Sequence, residues 1–427
     1  MHLKKCSVLF IVLLLTLTAN SQDNVNIVQV WTLKSSIEQS AKFSPIVGAA
    51  EAEVRGAEAS VMQAGSWPNP TIEVTGNNKL GLGDGTGGNE ITAMSFSQTI
   101  PLGRLSYERT EANAQLKATR YDRDYRKLVL ENNTAKAFHK LQLTEAKLEL
   151  AKEQLKFADD YQQGKGKTSS PLVRYLSSLE KKRLLILREL ANQEVSSAED
   201  EYNAALLSFK TLMQLSKEKQ VKADLLKPYS IPNDFKNLQE NQVNHTGMKA
   251  LKFKLEAAEA AIDLAKGKRI PDLTFTLFRE LDNLDNRRQR FNGLSLGITI
   301  PLWDFNTGNI AKTQAESQKI RYDAQSFEIE LKVKLQKSFN HLERLVTQSE
   351  NYRTKILAPA EEVLKLTNKS FNTGGVNVLS LIDANNTYFD ARKRYLDFLF
   401  ESWVEAAEVR EAAGISLVNN SKNEGAL

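Results

Sequence analysis

The sequence carries one stretch twice, about two hundred residues apart. Residues 91–102 read Ile-Thr-Ala-Met-Ser-Phe-Ser-Gln-Thr-Ile-Pro-Leu and residues 294–302 read Leu-Ser-Leu-Gly-Ile-Thr-Ile-Pro-Leu, so Thr99-Ile100-Pro101-Leu102 returns as Thr299-Ile300-Pro301-Leu302. Each copy closes a stretch with the period of a β-strand and is followed at once by a long polar helical pattern. Behind these strands Arg120-Tyr121-Asp122 returns as Arg321-Tyr322-Asp323 in nearly the same register. A repeat that keeps both a strand end and the position of the helix behind it indicates two copies of one structural unit.

The N-terminus has Lys4 and Lys5, an apolar run from Ser7 to Leu17, and small or polar residues through Ala19, Asn20 and Ser21. This is the layout of a secretory signal peptide over 1–21, and the run is far short of the roughly 20 residues that a membrane-crossing helix needs. The mature chain is therefore expected to be exported. Cys6 is the single cysteine and leaves with the signal, which excludes a disulfide, a thiolate metal site or a lipid-bearing N-terminal cysteine. A net charge of +5 is too near balance for a nucleic-acid-binding chain. With only 21 glycines and 10 prolines to punctuate 427 residues, most of the chain reads as long helix. No stretch after the signal is apolar enough for a transmembrane helix, so entry into a membrane would have to use strands.

In the first repeat, 22–217, a helical pattern over 27–64 breaks near Ser44-Pro45. Trp67-Pro68-Asn69-Pro70 then stops it, and strands follow at about 70–79 and 90–100. Between them, Gly81 to Gly88 reads as a hairpin loop, because the lysine and hydroxyl of a phosphate cradle are missing. A helical hairpin over 103–217 has Leu141, Leu148 and Leu155 on its outgoing arm, a turn at Gly164-Lys165-Gly166, and Leu172, Leu176, Leu179, Ile186 and Leu190 as the seam of its return arm.

Residues 218–243, with Pro228 and Pro232, form a connector. The second repeat, 244–414, follows the same plan. A helix runs from Asn244 to Lys268, strands lie at about 271–280 and 293–301 with a charged loop from Asp282 to Arg290 between them, and a helical hairpin spans 306–414. Its seam is Leu331, Leu335, Leu342, Leu345, Tyr352 and Ile356, with Ser338 and Ser349 between, and Pro359 is expected to kink it. Gly374-Gly375 makes the turn, and 415–427 is a polar tail.

Each repeat thus offers two strands with one apolar and one small or polar face, the alternation of a tilted membrane strand. Four strands cannot close a barrel and open edges are not tolerated in lipid, so spanning requires several protomers to pool them, and three would supply twelve. A small water-exposed β-domain capping an exported coiled-coil scaffold is the competing reading. His139, His245 and His341 are widely separated on helical stretches and read as surface or packing residues, with no catalytic motif, metal site or cofactor expected.

With Trp67-Pro68-Asn69-Pro70-Thr71 leading into the first strand, the paired strand ends, Ile270-Pro271-Asp272-Leu273 leading into the third, and Tyr161-Gln162-Gln163-Gly164 and Phe371-Asn372-Thr373-Gly374 at the two helical turns, the chain resembles the TolC-like outer-membrane factors. The resemblance covers nearly the whole mature chain. It implies a mainly α protein in which two repeats form antiparallel coiled-coil hairpins with four strands per protomer. The homotrimer would place a 12-stranded β-barrel in outer-membrane lipid above an α-helical barrel in the periplasm. It also implies a tripartite pump with a periplasmic adaptor and an inner-membrane transporter, with no nucleic acid. By that resemblance Gly164, Gly374 and Gly375 form the adaptor-docking tip, Asp383 faces the pore aperture, and Pro70, Pro101, Pro271 and Pro301 mark strand ends. The Asn69-Pro70 strand start and the helical opening of each half suggest the subfamily serving heavy-metal and drug pumps of the resistance-nodulation-division type. A type I protein-secretion duct is the alternative within the family.

Overall fold

The computed structural model describes residues 29–77, 90–163, 176–216, 220–231, 234–284 and 287–417. The signal segment, the Gly81–Gly88 loop, Gly164, Leu172 and the tail beyond residue 417 lie outside the described residues.

The chain opens with strand β1 (Gln29–Trp31), followed by helices α1 (Leu33–Phe43) and α2 (Pro45–Gln63). The expected break between the helices is made by Ser44, whose hydroxyl accepts the Ile46 N–H while Pro45 takes the first helical position, where its missing donor costs nothing. Residues 29–31 are strand rather than helix. They pair in parallel with β4 (Val221–Ala223), a contact between segments too short and too distant to leave a periodic signal.

Next come β2 (Thr71–Asn77), β3 (Glu90–Ile100) and α3 (Leu105–Gln163), whose 59 residues run for about 90 Å. After α4 (Ser178–Leu212), β4, α5 (Phe235–Gln242) and α6 (Thr246–Gly267), the chain forms β5 (Leu273–Leu284) and β6 (Arg287–Ile298). Helix α7 (Thr307–Tyr352), α8 (Ala358–Asn372) and α9 (Val378–Ala413) complete it. The recurring Arg-Tyr-Asp segments make matching contacts. Arg120 pairs with Glu58 at 2.8 Å and Arg321 with Glu259 at 3.1 Å, both across 62 residues of chain.

Two expectations need correction. On α4 the residues covered within the chain are Leu184, Leu187, Ala191, Ala198 and Ala205, whereas Leu179, Ile186 and Leu190 are exposed. Apolar residues occupy two faces of this helix, and three-four spacing cannot tell which one the chain itself covers. Of the expected charged loop from Asp282 to Arg290, residues 282–284 and 287–290 are strand, paired in register through Leu284↔Arg287, and 285–286 lie outside the described residues. Hydropathy alternation reports only the apolar part of a hairpin, while the backbone ladder runs on past it.

The seam of α7 is buried from Leu331 through Leu345, and Tyr352 packs on Phe398. A single π-helical turn then occupies Arg353–Leu357, directly before Pro359. Proline cannot donate to the carbonyl four residues back and crowds it, and the wider turn relieves that crowding. The turn shifts the phase of the stripe, leaving Ile356 exposed and burying Ala360, Leu364 and Phe371.

Candidate functional site

Strands β2, β3, β5 and β6 form one antiparallel sheet in that order, leaving the outer edges of β2 and β6 without a partner strand within the described chain. Register places Ile72 beside Phe96, Phe96 beside Leu277 and Leu277 beside Leu294. Phe275 and Leu296 form the next pair, Leu273 and Ile298 the one after. One face of the sheet is therefore apolar, and its members Ile72, Val74, Met94, Leu294, Leu296 and Ile298 are all exposed. Gln98 interrupts the apolar band of this face, and its amide donates to the carbonyls of Pro68 and Thr99, both at 2.9 Å.

The opposite face is small and hydroxylic. Ser97 and Thr276 are hydrogen-bonded at 2.9 Å, and Thr99 and Thr274 at 3.3 Å. Phe278 lies over Gly293, where a Cβ would come within 2.3 Å of the ring, so the absence of a side chain lets the ring cover the strand.

Pro70 and Pro271 precede β2 and β5, and Pro101 follows β3 directly. Pro301 comes later than expected, because β6 ends at Ile298. The first residue of β5, Leu273, pairs with both Ile100 and Ile298, so Thr299 and Ile300 have no neighbour on β5. At this proline end, Trp67, Trp303 and Phe305 are exposed, Trp303 to 92%. Aromatic residues flanking an apolar strand band suit a membrane–water interface.

At the far end of the helices, Gly374 takes φ +81 and Gly375 donates its N–H to the Ser370 carbonyl at 2.8 Å. This is a glycine C-cap, with Gly374 in the left-handed region that side chains disfavour. Asn377 caps α9 by accepting the Ser380 N–H at 2.9 Å. Tyr161, Leu184, Phe371, Val378 and Leu381 form a buried cluster beneath the turn, and the Tyr161 hydroxyl donates to Asn368 Oδ1 at 3.2 Å. Asp383 is exposed on α9.

Asn385 is fully buried, with neither amide atom hydrogen-bonded. Sequence reasoning passed over it, although it stands one heptad after Val378 on the apolar stripe. Such an amide costs about 1–3 kcal/mol.

Midway along the helices, polar groups tie the halves together. Lys334 on α7 bridges Glu408 at 2.7 Å and Glu411 at 2.8 Å on α9, and Lys136 on α3 also bonds Glu408. Glu131 accepts from Ser416 and from the Leu417 N–H, with burial pushing its carboxyl above the usual range. His341 is exposed and paired with Glu405, whereas His139 and His245 are buried. His245 Nδ1 accepts the Gly247 N–H, so Nε2 carries the proton and donates to the Glu411 carbonyl at 3.0 Å. Burial lowers its pKa.

His139 hydrogen-bonds Gln142 through Nδ1 at 2.7 Å and stacks on Trp403, while its Nε2 is buried without a partner. Desolvation lowers its pKa from 6.5 to about 4. The unfolded chain then takes up the proton first, so this residue's contribution to stability is complete above pH 6.5 and is lost as pH falls toward about 4. The loss is roughly 3 kcal/mol. Glu131, with a raised pKa, works in the opposite sense. Thermal unfolding from pH 7.5 to 4.5 is therefore compared between wild type and His139→Gln, with the variant expected to show the shallower decline. Parallel curves would mean that His139 does not titrate with folding.

Among the described residues no helix is long and apolar enough to cross a membrane, and no three His, Cys, Asp or Glu side chains gather as a metal site. The architecture is that of helical-hairpin proteins carrying a sheet with a bare apolar face. A model of the outer membrane efflux protein family matches residues 36–165 and 237–414, and the chain belongs to that family. It is 26% identical over 177 residues to the cobalt-zinc-cadmium resistance protein CzcC of Cupriavidus metallidurans, a match spanning 42% of this chain and 42% of that protein.

The fold is similar to the open-state MtrE outer membrane channel of Neisseria gonorrhoeae, with TM-score 0.75 and 19% identity over 90% of this chain and 89% of that one. It is also similar to CusC, with TM-score 0.74 and 19% identity over 90% and 92% of the two chains. For the outer membrane protein VceC of Vibrio cholerae the TM-score is 0.72, with 15% identity over 90% and 96%.

Proposed function

We propose that this chain is the outer-membrane channel of a tripartite efflux pump, in which three copies pool their strands into a 12-stranded barrel above a periplasmic helical barrel. The sheet carries this reading, with a band of exposed apolar side chains, Ile72, Val74, Met94, Leu294, Leu296 and Ile298, across one face and both edges open among the described residues. An exported scaffold would gain nothing from such a face, whereas a membrane requires it and requires the edges to be closed. At about 3.4 Å per residue, the 12 residues of β6 reach far enough to cross when tilted.

The helices support closure in a ring. In the chain, α3 packs on α6 with Tyr121 stacked on Phe253 at 5.2 Å. Tyr322, which follows Tyr121 in the repeat, is exposed on α7 and available to the next protomer. Head-to-tail addition by this contact closes a ring of three chains.

The tip at Gly374 and Gly375, with Gly164, would dock a periplasmic adaptor that couples the channel to an inner-membrane transporter of the resistance-nodulation-division type. The name of the Cupriavidus relative favours divalent cobalt, zinc or cadmium as cargo, with drugs next. The deciding measurement is the detergent-corrected mass of protein extracted from outer membranes. A detergent-dependent trimer is expected, and a water-soluble monomer or dimer would end the channel reading.

Three copies of Asp383 would ring the aperture and favour cations. Asp383→Ala is then expected to raise single-channel conductance or to weaken block by multivalent cations, and unchanged conductance and block would remove Asp383 from the aperture.

A further inference from the structure

The two ends of the apolar sheet face differ in chemistry. At the proline end, where the strands join the helices, the flanking residues are the aromatic Trp67, Trp303 and Phe305. At the hairpin end they are arginines. Along the apolar parity of β5, Leu273, Phe275 and Leu277 are followed by Arg279. Along β6, Ile298, Leu296 and Leu294 are followed by Asn292 and Arg290.

Register pairs Arg279 with Met94 on one side and Asn292 on the other, and Arg290 with Leu281, so the two guanidinium groups are diagonal neighbours on one face. The pair Asn283↔Arg288 follows in the same parity. The carboxylate nearest in sequence, Glu280, belongs to the other parity and pairs with Ala93 and Phe291. Arg279 and Arg290 are exposed, and among the described residues neither has an ion-pair partner.

Directly below them, Ile72, Met94, Phe96 and Leu277 line a shallow open groove of about 390 Å³, with Arg279 and Asn292 at its end. An apolar groove that ends at Arg279, with Arg290 diagonal to it and neither ion-paired among the described residues, has the chemistry of a site for a phosphate-bearing lipid. Guanidinium matches phosphate oxygens in a bidentate fork, and at a membrane boundary the pairing is only partly screened by water. In the barrel proposed above, on which this inference rests, the helices lie in the periplasm, so the hairpin end stands at the outer leaflet. The phosphorylated lipid of that leaflet is a glycolipid bearing phosphates on its sugars.

We infer that Arg279 and Arg290, with Asn292, bind the sugar phosphates of the outer-leaflet glycolipid, with one acyl chain laid along the groove over Phe96 and Leu277. The test uses the full-length trimer in detergent, with lipid retention followed by native mass spectrometry. The probes are bis-phosphorylated lipid A, the same lipid with its phosphates removed, phosphatidylglycerol, and inorganic phosphate. Wild type is expected to bind the bis-phosphorylated glycolipid at least tenfold more tightly than the dephosphorylated form. Arg279→Gln with Arg290→Gln should abolish that preference while leaving the trimer intact, and Glu280→Gln, on the other parity, should retain it.

Equal binding of the two glycolipids, or a double variant that keeps the preference, overturns the inference. Equally tight, arginine-dependent binding of phosphatidylglycerol assigns the groove to glycerophospholipid instead, and saturation by inorganic phosphate shows a lipid-independent anion site. Wild-type protein that is not a detergent-dependent trimer overturns the barrel itself, an outcome distinct from an intact trimer without the preference.

Discussion

Arginine in place of Leu296 is expected to keep the chain out of the membrane, whereas arginine at Ser295, one residue earlier on the same strand, is expected to be tolerated. Leu296 is exposed in the middle of the apolar face, beside Phe275, while Ser295 pairs with Thr276 on the hydroxyl face. An arginine facing lipid near the bilayer midplane costs about 2–4 kcal/mol in a β-barrel, and a trimer incurs that cost three times. A water-filled lumen imposes almost none. Membrane fractions of the two variants, extracted with urea and assayed for heat-sensitive oligomers, decide the matter. Equal insertion of both would mean that this face does not meet lipid, and loss of both would point to damage to the strand itself.

The second large effect is expected on the helices. Leu179, Ile186 and Leu190 on α4 are spaced by seven and then four residues, and Tyr322, Ile329 and Val333 on α7 repeat that spacing. All six are exposed in the single chain, Leu190 to 59%. Such stripes are coiled-coil seams waiting for a partner helix. Helix α4 packs mainly on α3 and less extensively on α9, and α9 packs on α7, so that α4 lies at one margin of the helical layer and α7 at the other. Ile186→Asp with Leu190→Asp should therefore leave the helical content of the monomer unchanged and weaken the assembly by about 3–6 kcal/mol per interface, the worth of two buried aliphatic side chains. A lower dissociation midpoint of the oligomer in detergent, at unchanged circular dichroism, is the expected result. An unaltered midpoint would leave that α4 stripe facing solvent in the assembled protein.

Much of this architecture was legible because it is written in periodicity. The doubled Thr-Ile-Pro-Leu marked where strands give way to long helices, the alternation at Leu294 to Ile298 marked the strand face, and Leu331 to Leu345 marked a seam that the fold does bury. The tip glycine was legible for a different reason, since Gly374 occupies a backbone region that excludes most side chains. What stayed hidden depends on distance through space. The β1–β4 pair joins residues nearly two hundred positions apart through three residues each. Asn385 and His139 read as ordinary polar positions on long helices, and only the packing around them deprives an amide and a ring nitrogen of partners.

The sequence by itself determined most of the kinds of element and their order, because side-chain period and backbone preference act locally and leave a trace at every turn. The tertiary structure alone decided which of two apolar stripes on α4 is covered, how far the β5–β6 ladder runs beyond its apolar part, and that Arg279 of one strand and Arg290 of the other become diagonal neighbours on one face. Those outcomes depend on register and on the neighbour each face meets, and neither quantity is a property of any one segment.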